Sequence, residues 1–201
     1  MIFNIVITFL LLIPVFASSG QKNLTDELKK LHLEKRHARL LRRQKLLSEV
    51  NMKSDKPGKQ SLKFHILGLH PHSCRKALRK IGQYQEYKNF MNFVKDSRYD
   101  DKTHYLYLKI EPPVVSKSFY LHFKIPRIQE PGTYPFTFEK GFLKNLQAVI
   151  EVISISPSNC LLKMSGKWEG QKTLYPDFLF ELFAQTVLKI GLERLIRMSS
   201  V

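Results

Sequence analysis

From residue 62 onward, apolar and polar side chains alternate in short blocks, and only the last block changes period. Leu62, Phe64 and Ile66 alternate with Lys63 and His65 up to Gly68, which predicts a first strand. Ser73 is placed to cap a short helix running to Ile81, and Gly82 is placed to stop it. A second short helix is predicted over Tyr84 to Phe93, turning Tyr87, Phe90, Met91 and Val94 toward a core. The period then becomes two. Leu106, Leu108 and Ile110 share one face of His104 to Ile110, and Phe119, Leu121, Phe123 and Ile125 share one face of Lys117 to Ile125. Three further sets follow: Tyr134, Phe136 and Phe138; Leu146, Ala148, Ile150 and Val152; and Leu162, Met164 and Trp168. Turn chemistry separates the blocks at Asp100-Asp101, Pro112-Pro113, Pro126 to Gly132, Gly141 and Ser156 to Asn159. Strands joined so briefly imply an antiparallel sheet, apolar on one face and polar on the other.

The final block, Pro176 to Met198, reads as one long helix. Leu179, Leu182, Phe183, Thr186, Val187 and Ile190 form its apolar stripe, broadened by Phe180, Ala184, Leu188 and Leu195, while Glu181, Lys189, Glu193, Arg194 and Arg197 mark a wet side. Each buried Leu or Phe stabilises by roughly 1.5 to 3 kcal/mol, so such a stripe requires a broad apolar partner. The sheet is the partner the chain supplies. The expected class is α+β: a curved antiparallel β-sheet wrapped around a long C-terminal helix, with two short helices after the first strand.

The first 60 residues have a different texture. Ile2 to Ile13 is apolar apart from Asn4 and Thr8, is stopped by Pro14, and is followed by Ala17-Ser18-Ser19-Gly20, which reads as a signal peptide over 1–19 and entry into the secretory pathway. Residues 20–60 are basic, Leu-rich and helix-prone, with Leu spacings that hold no continuous coiled-coil face. They read as a leader or linker ahead of a domain over 61–198. A signal followed by a basic leader also has the order of a bipartite plastid (apicoplast) address, although Asp26, Glu27, Glu34, Glu49 and Asp55 count against a transit peptide. Without that address the protein would be secreted or stay in an endomembrane lumen.

Charge extends the picture beyond one tail. The chain carries 33 Lys/Arg against 17 Asp/Glu, a net +16 with +7 in residues 21–60 and +9 in 61–201. This favours acidic partners. Dispersed basic residues without an aromatic RNA-binding signature, apart from Tyr105, Tyr107 and Tyr120, disfavour nucleic acid and leave peripheral contact with anionic membrane as the better use of the charge. Cys74 and Cys160 are the two cysteines; isolated Cys residues are commonly small buried apolar groups, and a bridge between them would require an oxidising compartment.

With the elements in order, a resemblance emerges. Strand, two helices, five or six strands and a long helix is similar to the START-like helix-grip superfamily, which includes the polyketide cyclase/dehydrase and coenzyme Q-binding families. The most specific local match is KALRKIGQYQEYKNFMNFVKDSRY, Lys76 to Tyr99, in which Tyr84, Tyr87, Phe90, Phe93, Val94, Lys95, Ser97 and Arg98 stand where the cyclase and coenzyme Q-binding members' pattern would put them. Tyr105 to Ile125 resembles their strand, proline turn and strand, and GKWEG, Gly166 to Gly170, resembles the stretch ahead of the closing helix. Lys117-Ser118 departs from an Arg-Asp pair that many relatives carry there, which bears on the subfamily more than on the fold.

The resemblance implies an apolar tunnel between helix and sheet, where the alternation also points. Phe64, Leu106, Leu108, Phe119, Leu121, Phe123, Phe136, Ile150, Met164, Trp168, Leu179, Phe183 and Val187 would line or fill it. If these side chains meet, they are a core; a gap of about 300 Å³ or more would be a pocket for an apolar guest. The expected function is binding or transport of a lipid, quinone or similar molecule, with no other cofactor. The alternatives are a cyclase or hydratase using the same cavity, and a noncatalytic scaffold with a filled core. No nucleophile elbow, P-loop or dinucleotide fingerprint is present. His70-x-His72-x-Cys74 lacks a second ligand pair for a metal, and Glu111 would act as a base only if it faced the cavity.

Overall fold

The structure, a computed structural model, describes residue 28 and residues 35–43, 45–111, 118–141, 143–173 and 176–200. The signal peptide over 1–19 and the Pro112-Pro113 turn lie outside the described residues. The first described helix is α1, Lys35–Arg42, followed by the hairpin β1, Leu47–Lys56, and β2, Lys59–His70. Gly58 takes φ +71° in the hairpin turn, a conformation that favours glycine. Next come α2, Cys74–Ile81, a 3-10 turn, Tyr84–Glu86, and the single turn α3, Tyr87–Phe90. Six strands follow: β3, Val94–Asp100; β4, Tyr105–Ile110; β5, Phe119–Lys124; β6, Gly132–Lys140; β7, Gln147–Ser156; and β8, Asn159–Gln171. The long helix α4, Asp177–Ser200, closes the fold. All the strands pair antiparallel in one sheet of order β1-β2-β8-β7-β6-β5-β4-β3.

Several boundaries differ from the sequence reading, each for a physical reason. The stretch 20–60, read as leader or linker, contributes α1 and the edge strand β1, so the folded unit begins before residue 61. The inward positions of β1 include Val50 and Met52 but also Ser54, whose hydroxyl is used by α4, and this mixture conceals the alternation. Gly68 does not end the first strand. β2 runs on to His70, and a Cβ at Gly68 would meet Ile196 Cδ1 at 2.6 Å and Leu46 Cδ2 at 2.8 Å, so the missing side chain lets α4 lie directly on the strand. Tyr84 to Phe93 is a 3-10 turn and one helical turn rather than a continuous helix, because Met91 is extended at φ −123°, ψ 107°. β3 went unread because a bulge between Val94 and Asp96 breaks its period and its buried middle residue, Ser97, is polar.

Two apolar clusters lie on opposite faces of the sheet. The main one joins the inner strand faces to α2, the two short turns and α4. The second packs Leu28, Ala38 and Leu41 against Leu67, Leu69, Ile155 and Leu161, so α1 covers the outer face of β2, β8 and β7. The C-terminal end of β2 is therefore apolar on both faces, and the near-continuous run Ile66-Leu67-Gly68-Leu69 follows from that.

Cys74 and Cys160 are joined by a disulfide with Cα atoms 4.8 Å apart, tying the start of α2 to the start of β8. This corrects the expectation of two separate buried thiols. It also removes Cys74 as a metal ligand from the His70-x-His72-x-Cys74 run. Next to the bridge, His72 Nε2 lies 3.2 Å from the Ser200 carbonyl oxygen and His70 Nε2 lies 3.4 Å from the Ser200 hydroxyl, so the last turn of α4 is held at the same corner. Burial pushes the His70 pKa below its ordinary value.

Candidate functional site

α4 does not sit over the middle of the sheet. It packs against β1, β2 and α2, and its distance from β4, β5 and β6 leaves a cavity of about 280 Å³. Two carboxylates hold its first turns to the edge strand β1 and its neighbour β2. Asp177 accepts from Ser54 Oγ at 2.8 Å and from Gln60 Nε2 at 2.7 Å, and Glu181 accepts from the Met52 backbone N–H at 3.0 Å. The bonds from Ser54 and Gln60 hold the Asp177 carboxyl below the usual carboxylate range. The Met52 bond also occupies a donor on an edge strand, which would otherwise be a site for non-native pairing.

The other side of α4 forms one wall of the cavity through Phe180, Phe183, Ala184, Val187, Leu188, Gly191, Leu192 and Leu195. Compared with the expected stripe, the inward face is turned by roughly one residue's rotation, about 100°. Leu179 and Leu182, expected inside, are exposed, and the Thr186 hydroxyl bonds back to the Leu182 carbonyl at 2.8 Å. The opposite wall is made by Phe64 of β2, Leu106 and Leu108 of β4, Phe119, Leu121 and Phe123 of β5, Phe136 of β6, Ile150 of β7 and Met164 of β8. Of the thirteen residues singled out in the sequence, these nine together with Phe183 and Val187 surround the cavity.

Two of the thirteen stand elsewhere. Trp168 is buried beyond the cavity lining, its ring centroid 6.2 Å from Phe180 and its indole N–H donating to the Lys144 carbonyl at 3.0 Å. Leu179 is at the outer surface of the first helical turn. Their spacing suits an inward position, but Trp168 packs past the lining toward Phe180 and the Lys144 carbonyl, and Leu179 falls outside the rotated helix face.

The floor lies outside those thirteen residues, although Tyr87, Met91 and Ile125 were expected on core-facing sides. Ile81, Tyr84, Tyr87, Met91, Ile125 and Ile128 line it from α2, the short turns and the segment after β5. A polar clasp outside the cavity holds this floor in place. The Arg127 guanidinium bonds Asp101 at 2.7 and 2.9 Å and lies 4.7 Å from the Tyr99 ring centroid and 5.8 Å from that of Tyr84. Tyr84 Oη donates to the Pro126 carbonyl at 3.0 Å, Tyr87 Oη donates to the Ile81 carbonyl at 2.6 Å, and the Ser97 hydroxyl donates to the Tyr84 carbonyl. Burial raises both tyrosine pKa values. The apolar spacing of Tyr84, Tyr87 and Met91 was the available signal, and a continuous helix there would have aimed them differently.

Chemically, the wall is uniform. The described lining residues include no carboxylate, imidazole, thiol or aliphatic hydroxyl, and the tyrosine hydroxyls are bonded to main-chain carbonyls. Lys163 reaches the lining, but its ammonium is paired with Glu151 at 2.5 Å. Glu111, the candidate base, is not in the lining; it accepts from Ser118 Oγ at 2.9 Å and pairs with Lys109 at 3.4 Å, and the Ser118 bond lowers its pKa. Among the described residues no group of three or more His, Cys, Asp or Glu side chains is placed to hold a metal. What this cavity offers a guest is hydrophobic burial and dispersion contact.

Comparison with known proteins places the fold. No family model matches the chain, and no curated protein matches it in sequence. Solved structures do match. A START superfamily protein from Mycobacterium smegmatis is similar with a TM-score of 0.55 at 11% identity, over 77% of this chain and 96% of that one. The Zhui aromatase/cyclase from a Streptomyces species gives 0.57 at 6% identity, over 69% of this chain and 93% of that one. The di-domain aromatase/cyclase StfQ of the steffimycin biosynthetic pathway gives 0.56 at 6% identity, over 70% of this chain and 49% of that one. The protein has the START-like helix-grip fold.

Proposed function

We propose that the protein binds an apolar small molecule, a lipid, quinone or similar compound, in the cavity under α4, and sequesters or carries it. The observation that carries this reading is a cavity of about 280 Å³ whose described walls are apolar apart from bonded tyrosines and one paired lysine. Leaving such a space empty forfeits dispersion contacts at a cost on the order of several kcal/mol, and a guest recovers them. The volume is at the lower end for ligand pockets, which favours a single chain or ring system over a bulky two-chain lipid. The aromatase/cyclase neighbours share the fold at 6% identity. A cyclase needs acids, bases or oriented donors converging on the guest, and the described walls favour binding over such chemistry.

The test uses Gly191, which lines the cavity and has nothing within 4 Å of where its Cβ would be. A phenylalanine there extends into the free space. The native protein is expected to take up a fluorescent fatty acid or quinone, and Gly191→Phe is expected to lose uptake while staying folded. Native protein that takes up neither probe, and from which mass spectrometry recovers no apolar compound, would refute the reading.

We also infer passage through the secretory pathway. The apolar run at Ile2 to Ile13 reads as a secretory signal, and the Cys74–Cys160 disulfide fits an oxidising compartment. Because residues 35–56 contribute α1 and β1, a plastid address removed after the signal would have to end before them. A fusion of residues 1–27 to a fluorescent protein should enter the secretory route; diffuse cytosolic fluorescence would exclude it.

A further inference from the structure

Among the described residues four large apolar side chains are exposed, and three of them are within five positions at the start of α4: Phe178 at 68%, Leu179 at 44% and Leu182 at 59%. They project from the same two turns whose other side, through Phe180 and Phe183, lines the cavity. Phe183 meets the Phe119 ring with centroids 5.0 Å apart, and Leu179 is one helical turn from Phe183, so the patch lies within one turn of the cavity wall.

The acidic groups of these turns face away from the patch. The two carboxylates of these turns, Asp177 and Glu181, are directed to β1 and β2 by their bonds to Ser54, Gln60 and Met52. Lys144, Lys172 and Lys189, from elements next to these turns, are exposed. Lys144 is in the turn that accepts the Trp168 indole N–H beside Phe180, and Lys189 is two turns along the helix from Leu182, whereas Lys172 is on the carboxylate side, close enough to Asp177 to act on its charge. Further along, Glu193 and Arg197 pair with each other at 2.5 Å. An apolar wedge with a cationic rim is complementary to an anionic bilayer surface, whose interior receives the wedge and whose headgroups receive the lysines.

We propose that the first two turns of α4 are a docking surface for an anionic lipid bilayer, with Phe178, Leu179 and Leu182 entering the acyl region and Lys144 and Lys189 meeting the headgroups. The proposal rests on the apolar-ligand reading, since docking here brings the helical wall of the cavity to the phase in which such a ligand dissolves. The test is flotation of the protein with phosphatidylcholine vesicles with and without phosphatidylserine. Binding is expected with phosphatidylserine present, falling as salt rises. Phe178→Ser with Leu182→Ser should weaken it by about tenfold or more while uptake of a fluorescent fatty acid from vesicle-free solution is unchanged. Lys144→Glu with Lys189→Glu should abolish the preference for anionic vesicles. Gly191→Phe should float like the native protein while failing to load, which separates failure of docking from failure of ligand binding. Native protein that does not float, or a serine variant that floats as well as the native protein, overturns the proposal. A solution dimer that the serine variant returns to monomer would assign the patch to a second copy and overturn it equally.

Discussion

Two glycines under and within α4 have opposite consequences at the residue scale. At Gly68 an added Cβ would meet three side-chain termini of Ile196, Leu46 and Leu192 at 2.6 to 3.2 Å, so Gly68→Ala should destabilise by about 1 to 3 kcal/mol through overpacking. At Gly191 nothing is within 4 Å and the residue is mid-helix, so Gly191→Ala should stabilise by roughly 0.5 to 1 kcal/mol by restricting the unfolded chain. Urea midpoints of the two variants should therefore move in opposite directions from the native value. His70 supplies a third residue-scale expectation. Buried and faced by His72, Lys76 and the Ser199–Ser200 end of α4, it has a pKa lowered chiefly by burial. The unfolded chain then binds the extra proton more readily than the folded one, so the contribution is complete above about pH 6.5 and is lost as the pH falls toward the depressed folded value. Replacing His70 by Gln should flatten the fall in urea midpoint between about pH 7 and pH 5; an unchanged slope would assign the acid sensitivity to His65 or His122, whose pKa values burial also lowers. Strict alternation made the inward strand residues legible at this scale, whereas the orientation of Leu179 depended on how the helix is rolled, which one helical stripe does not determine.

The elements follow the same division between what a repeating apolar pattern reveals and what polar contacts conceal. β4 and the blocks containing Phe123, Phe136, Ile150 and Met164 were legible because every second side chain is apolar. β1 and β3 were not, because their inward positions include Ser54, held by Asp177, and Ser97, held by Tyr84. β1 is also what seats α4 to one side. Glu181→Ala would leave the Met52 N–H without its acceptor and should cost about 1 kcal/mol, read as a lower urea midpoint. The disulfide works on a longer scale, closing a sequence separation of 86 residues. On the chain-entropy account a loop of that length is worth about 4 to 5 kcal/mol, so Cys74→Ala with Cys160→Ala should lose on the order of 2 to 5 kcal/mol. Because both cysteines are buried, a thiol reductant should open the bridge slowly in native protein and quickly in urea.

For the molecule as a whole, the sheet's two faces decide where the folded unit begins. Read by composition, residues 20–60 separate cleanly from the rest because they are basic and lack strand periodicity. Packing overrides composition: Leu28 and Leu41 are fully buried, and Ala38 nearly so, against Leu67, Leu69, Ile155 and Leu161 on the face opposite the cavity. The outward leucines of β2 were visible in the sequence, but nothing local identified α1 as their cover. Removing residues 1–46 would therefore uncover a contiguous apolar surface on the outer face while leaving every strand of the sheet in place. Removing residues 1–60 would also take β1 with its seats for Asp177 and Glu181, expose β2 as a new edge and release the start of α4. The shorter deletion should bind a hydrophobic dye and self-associate yet still load an apolar probe, because the cavity lining begins at Leu62. The longer one should lose loading as well, since α4 would no longer be held away from β4, β5 and β6. Equal loading by the two truncated proteins would show that β1 does not set the width of the cavity.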